Sequence, residues 1–208
     1  MSNSHPFSIP ASTIHNEQAE TPCLLVCEHA SNYIPAHYQN LGLDEQTLNE
    51  HICWDPGAHL LTQSLSEELE CCAVASNYSR LLIDCNRPID VASSIPDVSE
   101  IYHIPGNVQL CERERDLRIE HVYHPFHATV LAHVERLKLT HHRFPVVGIH
   151  SFTPIFHGQQ RPWKFSLMWK EECPFVEHLI RYLSNHELAD EIGFNEPYSA
   201  KTIRAQTC

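Results

Sequence analysis

The sequence predicts an α/β fold, a three-layer sandwich in which a mixed, mainly parallel sheet carries helices on both faces. Three short apolar runs, at 24–27, 81–83 and 147–149, each end abruptly in polar residues, as buried strands do. Segments with apolar residues at helical spacing lie between the predicted strands, and this alternation favours a parallel or mixed sheet. The chain has 208 residues, 42% of them hydrophobic, which is enough for one core of this kind.

The chain begins with polar residues, and the first strand follows them. We expect residues 1–20 to form a loosely attached arm and residues 21–208 to form a single domain. The first strand is predicted at 22–28. Asp44 is the expected N-cap of a short helix that ends at Glu50, because aspartate accepts a hydrogen bond from the first helical turn.

A turn rich in helix-start signals opens the next helix. Asp55 is expected to cap it, with a proline at the first helical position. Leucines at helical spacing carry this helix to about Glu70. Strands are predicted at 73–76 and 80–84. Residues 88–110 have no periodicity, and we expect them to form a loop that covers a site.

The C-terminal half continues the alternation of helix and strand. A long helix is predicted over 112–139 with an interruption at Pro125, since proline disrupts a helix interior. The central strand of the sheet is expected at 146–150. A further strand at 165–169 and a helix at 174–185 complete the predicted fold.

Charge and composition argue against several classes of partner. The formal net charge is −12, which argues against nucleic acid and against an anionic membrane surface. The N-terminus lacks the basic and apolar regions of a signal peptide, and no apolar run reaches the ~20 residues that a membrane-spanning helix needs. The nine cysteines have no CxxC spacing, so we expect reduced thiols in a cytoplasmic protein.

Two histidines follow predicted strands and are candidate metal ligands. His29 and His150 fall where strands end, and ligands of parallel sheets bind at that edge. Neutral imidazoles are good ligands for Zn²⁺, and a catalytic zinc needs a third ligand, often a carboxylate. Glu28, Asp55 and Asp84 are the candidate carboxylates. The alternative is that both histidines are ordinary core or surface residues.

Arginines near these strand ends are candidate anion contacts. Arg87 follows Asn86 at a strand end, and its planar guanidinium can pair bidentately with a substrate carboxylate. A salt bridge to Asp84 or Asp90 is the structural alternative. Arg161 is a candidate for a second anion contact, or else for a cation–π contact at the rim.

The long predicted helix carries further polar residues. Glu114 and Arg118 are i,i+4 partners, which favours a solvated ion pair, although Arg118 remains a candidate substrate contact. His121, His124 and His127 are spaced three apart. We reject them as a metal site, because this spacing drifts around the helix and a proline interrupts it.

Several motifs occur together, in the same order as in a known enzyme family. The chain resembles the N-formylglutamate amidohydrolase (N-formylglutamate deformylase) family, and the matching motifs run from about residue 22 to residue 199. The matching segments are CEHASN (27–32), HICWDPGA (51–58), YSRLLIDCNRP (78–88), IPGN (104–107), PFHA (125–128), IHSFTP (149–154), RPW (161–163) and NEPY (195–198). Each motif alone is weak, but the ordered set is specific.

The resemblance implies a fold similar to that of the zinc carboxypeptidases and aspartoacylases, a phosphorylase/hydrolase-like sandwich. In those relatives a His-x-x-Glu pair and a later histidine hold one zinc ion. His29 matches the first ligand and His150 the last. The glutamate position is Asn32 here, so Asp55 is the candidate third ligand.

The resemblance also implies a reaction and a substrate class. The expected activity is zinc-dependent hydrolysis of the formyl amide of N-formylglutamate, or of a related acidic N-acyl amino acid, to formate and glutamate. We assign the catalytic carboxylate roles to Asp84 and Glu28. The candidate substrate-binding residues are Asn86, Arg87, Arg161, Ser151 and Arg118.

The chain departs from the family pattern at its C-terminus. Family members continue after the NEPY segment into a final strand that carries a glutamate, the general base, whereas residues 199–208 do not resemble that strand. We therefore expect the C-terminal part to be truncated and the catalytic strand to be missing. Two alternatives follow: a catalytically impaired relative that binds metal or ligand without turnover, and an aspartoacylase-like or carboxypeptidase-like activity.

Overall fold

The computed structural model describes residues 6–156 and 158–197, which fall into two compact units. The first unit ends at Ser151 and the second begins at Phe152. The predicted domain over 21–208 thus spans two compact units, and its behaviour as a single domain stays a prediction. The expected truncation concerns residues 199–208, which lie outside the described residues.

The first unit carries the main sheet and three α-helices. Its strands are β1 Ser12–His15, β2 Leu24–Cys27, β3 Cys72–Ser76, β4 Val98–Ser99, β5 Tyr102–His103 and β6 Val146–Gly148. Its helices are α1 Ala58–Glu68, α2 Glu112–Arg118 and α3 His124–Lys138, with a π-helical stretch, Ile119–Tyr123, between the last two. Short 3₁₀ segments lie at Ala36–Gly42, Thr47–Asn49, Ala92–Ser94 and Pro105–Asn107.

The main sheet is mixed and mainly parallel, as the sequence predicts. Its order is β1-β3-β2-β6. Strand β2 is parallel to both β3 and β6, whereas β1 runs antiparallel to β3. Parallel pairing puts the carboxyl ends of β2 and β6 at the same edge, and this edge carries the polar residues that follow both strands.

Alternate residues of β2 face two different helices, which makes the unit three layers thick. Leu24 and Val26 are buried in the cluster that contains the apolar face of α3. Leu25 and Cys27 are buried in the opposite cluster, together with Ala58 of α1. Because side chains alternate across a strand, a continuous apolar run predicts burial on both faces. The α/β prediction is therefore confirmed.

The second unit contains two small sheets and one helix. Its strands are β7 Ile155–Phe156, β8 Gln159–Gln160, β9 Phe165–Leu167 and β10 Ile192–Phe194. Strands β7 and β8 form a hairpin, whereas β9 and β10 are parallel. Helix α4 spans Pro174–Ser184, and a 3₁₀ turn follows at Ala189–Glu191. Across the described residues of both units, no helix has the length and hydropathy needed to cross a bilayer.

Three expectations about the sheet are corrected by the structure. Residues 12–15, expected within a loose arm, form β1 and pair with β3 along their whole length. Residues 80–84 form a turn and not a strand, with Asp84 N–H bonded to the Ser94 carbonyl (2.7 Å). The 146–150 strand is not central, because among the described strands β6 stands at the end of the sheet order.

The helix predictions are correct in place but not always in length. The helix expected at 44–50 is a single 3₁₀ turn, although Asp44 Oδ1 does accept a hydrogen bond from the Thr47 N–H (2.8 Å). The long helix changes to π-helical geometry just before Pro125, which then lies in the first turn of α3. The loop at 88–110 contains the β4–β5 hairpin.

Candidate metal centre

Two neighbouring strand ends bring His29 and His150 together. β2 pairs with β6 up to Val26 and Gly148, and the Ile149 N–H then bonds to the Val26 carbonyl (2.8 Å). After each strand the backbone turns, and the two histidine rings come together with their centroids 4.9 Å apart. The apolar strands fix the backbone, and the two imidazoles stand at the sheet edge.

Asp55 joins the two histidines from a separate turn. Its N–H donates to the His29 carbonyl (2.9 Å), which holds the turn against the end of β2. One carboxylate oxygen, Oδ2, lies 2.9 Å from His150 Nδ1, and the other, Oδ1, lies 3.5 Å from His29 Nδ1. The Ser151 N–H donates to Oδ2 (3.2 Å). The expected side-chain cap of α1 is therefore absent, and Gly57 occupies the N-cap position.

His29, Asp55 and His150 have the geometry of a metal site. One ligand atom from each residue lies within 4.8 Å of the others, and no other such group occurs in the described part of the chain. His29 Nδ1 is buried and has no hydrogen-bond partner among the described residues. A buried imidazole nitrogen without a hydrogen bond fits a ligand position, and two histidines with a carboxylate match a catalytic zinc site.

Asp84 lies behind His29 and orients it. The Nε2 atom of His29 lies 2.8 Å from Asp84 Oδ1. The same carboxylate accepts hydrogen bonds from Arg80 (2.9 Å) and from the Asn86 N–H (2.8 Å). When Nε2 carries the proton, Nδ1 is free to face Asp55 and a metal, as in carboxylate–histidine–metal arrangements.

Sequence reasoning missed Arg80. It holds Asp84 and also lies 3.7 Å from Asp55 Oδ1, so one guanidinium neutralises both buried carboxylates. Its position four residues before Asp84 was the available signal. The predicted strand at 80–84 hides this pairing, because in an extended strand the side chains of Arg80 and Asp84 would be too far apart to form an ion pair.

Glu28 and Asn86 complete the rim of the centre. The Glu28 Oε2 atom is buried without a hydrogen-bond partner among the described residues, and it lies 3.4 Å from His150 Nε2. Asn86 Nδ2 lies 3.4 Å from the same nitrogen. A carboxylate oxygen held beside the His150 imidazole, with no hydrogen bond to the described residues, is placed to accept a proton.

The buried charges shift one another's pKa values. Burial alone would lower the pKa of His29, but the negative charge of Asp84, which also accepts a hydrogen bond from the ring, and the nearby Asp55 carboxylate raise it to about 9. Burial would raise the pKa of both aspartates. His150 and His29 instead hold the pKa of Asp55 well below its usual range. His29 and Arg80 do the same for the pKa of Asp84. Without a metal, a charged imidazole thus lies between two carboxylates at neutral pH.

Two of the three candidate substrate arginines, Arg87 and Arg161, have different surroundings. Arg87 is half-buried, and within the described residues its guanidinium has no hydrogen bond or ion pair. Arg161 lies in the second unit, where it donates to the Thr153 carbonyl (3.1 Å) and stands over the Phe152 ring (5.7 Å). Only Arg87 is therefore in the same unit as the centre and available for an anion.

Arg118 has surroundings that favour a structural role, and its assignment to substrate binding stays a prediction. Its side chain is fully buried. It donates to the Leu82 carbonyl (3.0 Å) and to Asn107 (2.7 Å), pairs with Glu114 (3.4 Å) and lies over the Tyr38 ring (4.9 Å). The i,i+4 spacing with Glu114 suggested a solvated pair, but the loop at 88–110 covers this face of α2.

Comparison with known proteins shows the family and the fold of the chain. Residues 21–208 match the family model of N-formylglutamate amidohydrolase. The fold is similar to that of a gene product from Agrobacterium tumefaciens, with 36% identity and a TM-score of 0.85 over 92% of this chain and 75% of that chain. It is also similar to an N-formylglutamate amidohydrolase from Ralstonia eutropha JMP134, with 16% identity and a TM-score of 0.60 over 93% and 79% of the two chains. The second likeness shows the fold alone, and no curated protein sequence matches.

Replacing Arg118 should destabilise the fold. We expect Arg118→Met to cost roughly 3–5 kcal/mol in the free energy of unfolding, because it leaves buried acceptors without their cation. The control is Arg113→Met on the same helix, at an exposed position, which should stay within about 0.5 kcal/mol of wild type. Urea denaturation measures both. A raised KM with unchanged stability would restore the substrate-binding assignment.

The pairing of His29 with Asp84 should make stability depend on pH in metal-free protein. Since the pKa of His29 is raised from 6.5 to about 9, the pairing stabilises fully below about pH 6.5, and its contribution is lost as the pH rises through about 9. The difference in unfolding free energy between wild type and Asp84→Asn should shrink over that window. A difference that grows with pH would contradict the pairing of a charged His29 with Asp84.

Proposed function

Because the chain belongs to the N-formylglutamate amidohydrolase family, we propose that it hydrolyses the formyl amide of N-formylglutamate, or of a closely related acidic N-acyl amino acid. The products are formate and the free amino acid, and the proposed cofactor is one zinc ion. The observation that supports this proposal is the convergence of His29, Asp55 and His150 beside a Glu28 carboxylate oxygen that has no hydrogen-bond partner among the described residues. That combination provides metal ligands and a proton acceptor at one point.

The proposed metal ligands are His29 through Nδ1, Asp55 through its carboxylate, and His150. When bound, zinc supplies Lewis-acid chemistry, lowering the pKa of water towards ~7 and polarising a carbonyl oxygen. The chain's own contribution is to hold the proposed metal-binding side chains in fixed orientations. Asp84 holds the His29 ring in one orientation, and the Ser151 N–H with the His150 ring holds the Asp55 carboxylate. Ser151 thus acts through its backbone in this scheme.

Glu28 is the proposed general base, and Asp84 becomes an orienting residue. Glu28 takes a proton from the attacking water as the new C–O bond forms at the formyl carbon. It then gives that proton to the amide nitrogen as the C–N bond breaks, so that formate and an amine leave. Asp84 is unsuited to this step, because both of its oxygens already accept hydrogen bonds.

Arg87 is the proposed anchor for a substrate carboxylate. Its guanidinium is available, and it follows the turn that places Asp84 and Asn86 at the centre. A bidentate contact there would orient the amide towards Glu28. Asn86, which lies against His150, is proposed to hydrogen-bond the substrate. Arg161 belongs to the second unit and is not part of this scheme.

The direct test measures formate release and zinc content together. Purified protein should contain at least one zinc per chain and release formate from N-formylglutamate. N-acetylaspartate and a short peptide with a C-terminal carboxylate are the comparison substrates, because they probe the aspartoacylase and carboxypeptidase alternatives. Zinc without turnover on any of the three would indicate an impaired relative. Neither zinc nor turnover would refute the proposal.

Substitutions at Glu28 and Asp55 should separate proton transfer from metal binding. Glu28→Gln should keep zinc and lower kcat by roughly 10²–10⁴-fold, since it removes the proton acceptor but no proposed ligand. Asp55→Asn should lose the zinc of this centre on dialysis, because the amide is a poor replacement for the carboxylate. Metal analysis beside initial rates checks both. Wild-type kcat in Glu28→Gln would show that another group is the base.

Substitution of Arg87 should act mainly on substrate affinity. Arg87→Gln should raise KM by roughly 10–100-fold, the value of a charge-assisted hydrogen bond, while zinc content stays unchanged. Arg87→Lys keeps the charge but loses the planar guanidinium, so its KM should lie between the KM values of wild type and Arg87→Gln. Arg113→Gln is the matched control on an exposed arginine. Unchanged KM in Arg87→Gln would exclude the anchor role.

A further inference from the structure

A second pair of histidines meets away from the first centre. His15 is the last residue of β1, and His59 lies in the first turn of α1. Their Nε2 atoms are 3.2 Å apart, with the rings tilted by 53° and the centroids 5.4 Å apart. Both side chains are half-buried, so that one side of the pair faces solvent. Neither residue belongs to a motif of the amidohydrolase family quoted above.

The backbone holds this pair in place from both sides. His15 stands opposite Ala73 in the register between β1 and β3, and Ala73 is buried in the same cluster as α1. The next residue, Asn16, has a left-handed backbone (φ 47°) and donates to both the carbonyl and the hydroxyl of Ser66 on α1. The strand end is therefore fastened to the helix, and the two rings cannot easily separate.

The separation of the two nitrogens matches a shared metal ion. Zn–N bonds of about 2.0–2.1 Å with tetrahedral angles place two imidazole nitrogens about 3.3 Å apart. Burial, and then the neighbouring His15, lower the pKa of His59, which favours the neutral, metal-binding form of this imidazole. In a neutral pair one nitrogen donates and one accepts, and a cation would displace that single proton.

We propose that His15 and His59 form a second binding site for a divalent late first-row cation of the zinc, nickel or copper class. The two imidazoles supply two ligands, and water from the exposed side supplies the rest. Such a cation would link the edge strand of the sheet to helix α1. Imidazole nitrogen suits these metals, whereas magnesium and calcium prefer oxygen ligands.

Zinc titration by calorimetry of the full chain, stripped of metal and kept reduced, tests this site. Wild type should bind one more equivalent of zinc than His59→Gln or His15→Gln, and both variants should keep the melting temperature of metal-free wild type. His142→Gln, at an exposed histidine, is the control and should bind as wild type does. Equal zinc stoichiometry in wild type and His59→Gln would overturn the proposal, as would the loss of the same equivalent in His142→Gln.

A second arm keeps this result separate from the proposed function. Asp55→Asn should retain the equivalent of zinc that depends on His59, and the double variant Asp55→Asn/His59→Gln should lose it. If the first centre binds no metal at all, the difference between wild type and His59→Gln remains the test. Retention of that equivalent in the double variant would contradict the His15–His59 site.

Discussion

Two buried aspartates at the end of a parallel sheet set the conditions for the rest of the centre. An unpaired buried carboxylate is strongly disfavoured, so each aspartate needs cations or hydrogen-bond donors around it. Asp55 and Asp84 share Arg80, and each also faces an imidazole. The turn at 78–88 exists in its observed form because only a turn brings Arg80 and the Asn86 N–H to the same carboxylate.

This constraint explains why the centre can be both charged and rigid. The pKa values of the aspartates are held low, and that of His29 is held high, by the same contacts. A divalent cation of the proposed kind would replace the proton on His29 and keep both carboxylates paired. Metal binding and proton release are therefore linked, and metal affinity should weaken as the pH falls.

The sequence could predict features that depend on local pattern and could not predict those that depend on distant partners. The apolar runs of β2 and β6 predict both strands, and the histidines two residues beyond the strand ends are the two candidate ligands. Strand β1 was missed, because Ser12–His15 has a single apolar residue, Ile14, within a polar segment and is recognisable only beside β3. The surroundings of Arg118 were not predicted for a similar reason: its burial depends on carbonyls that lie 36 and 12 residues away in the chain.

The resemblance implies a glutamate ligand at position 32, where this chain has Asn32. The third candidate ligand, Asp55, comes from a different segment. Asn32 donates to the Leu48 carbonyl (2.9 Å), at the 3₁₀ turn that precedes Asp55. The Asp55 N–H then bonds to the His29 carbonyl, which brings the Asp55 carboxylate to the place where a metal would sit. A position at which the resemblance expects a ligand thus helps to hold the segment that carries the proposed one.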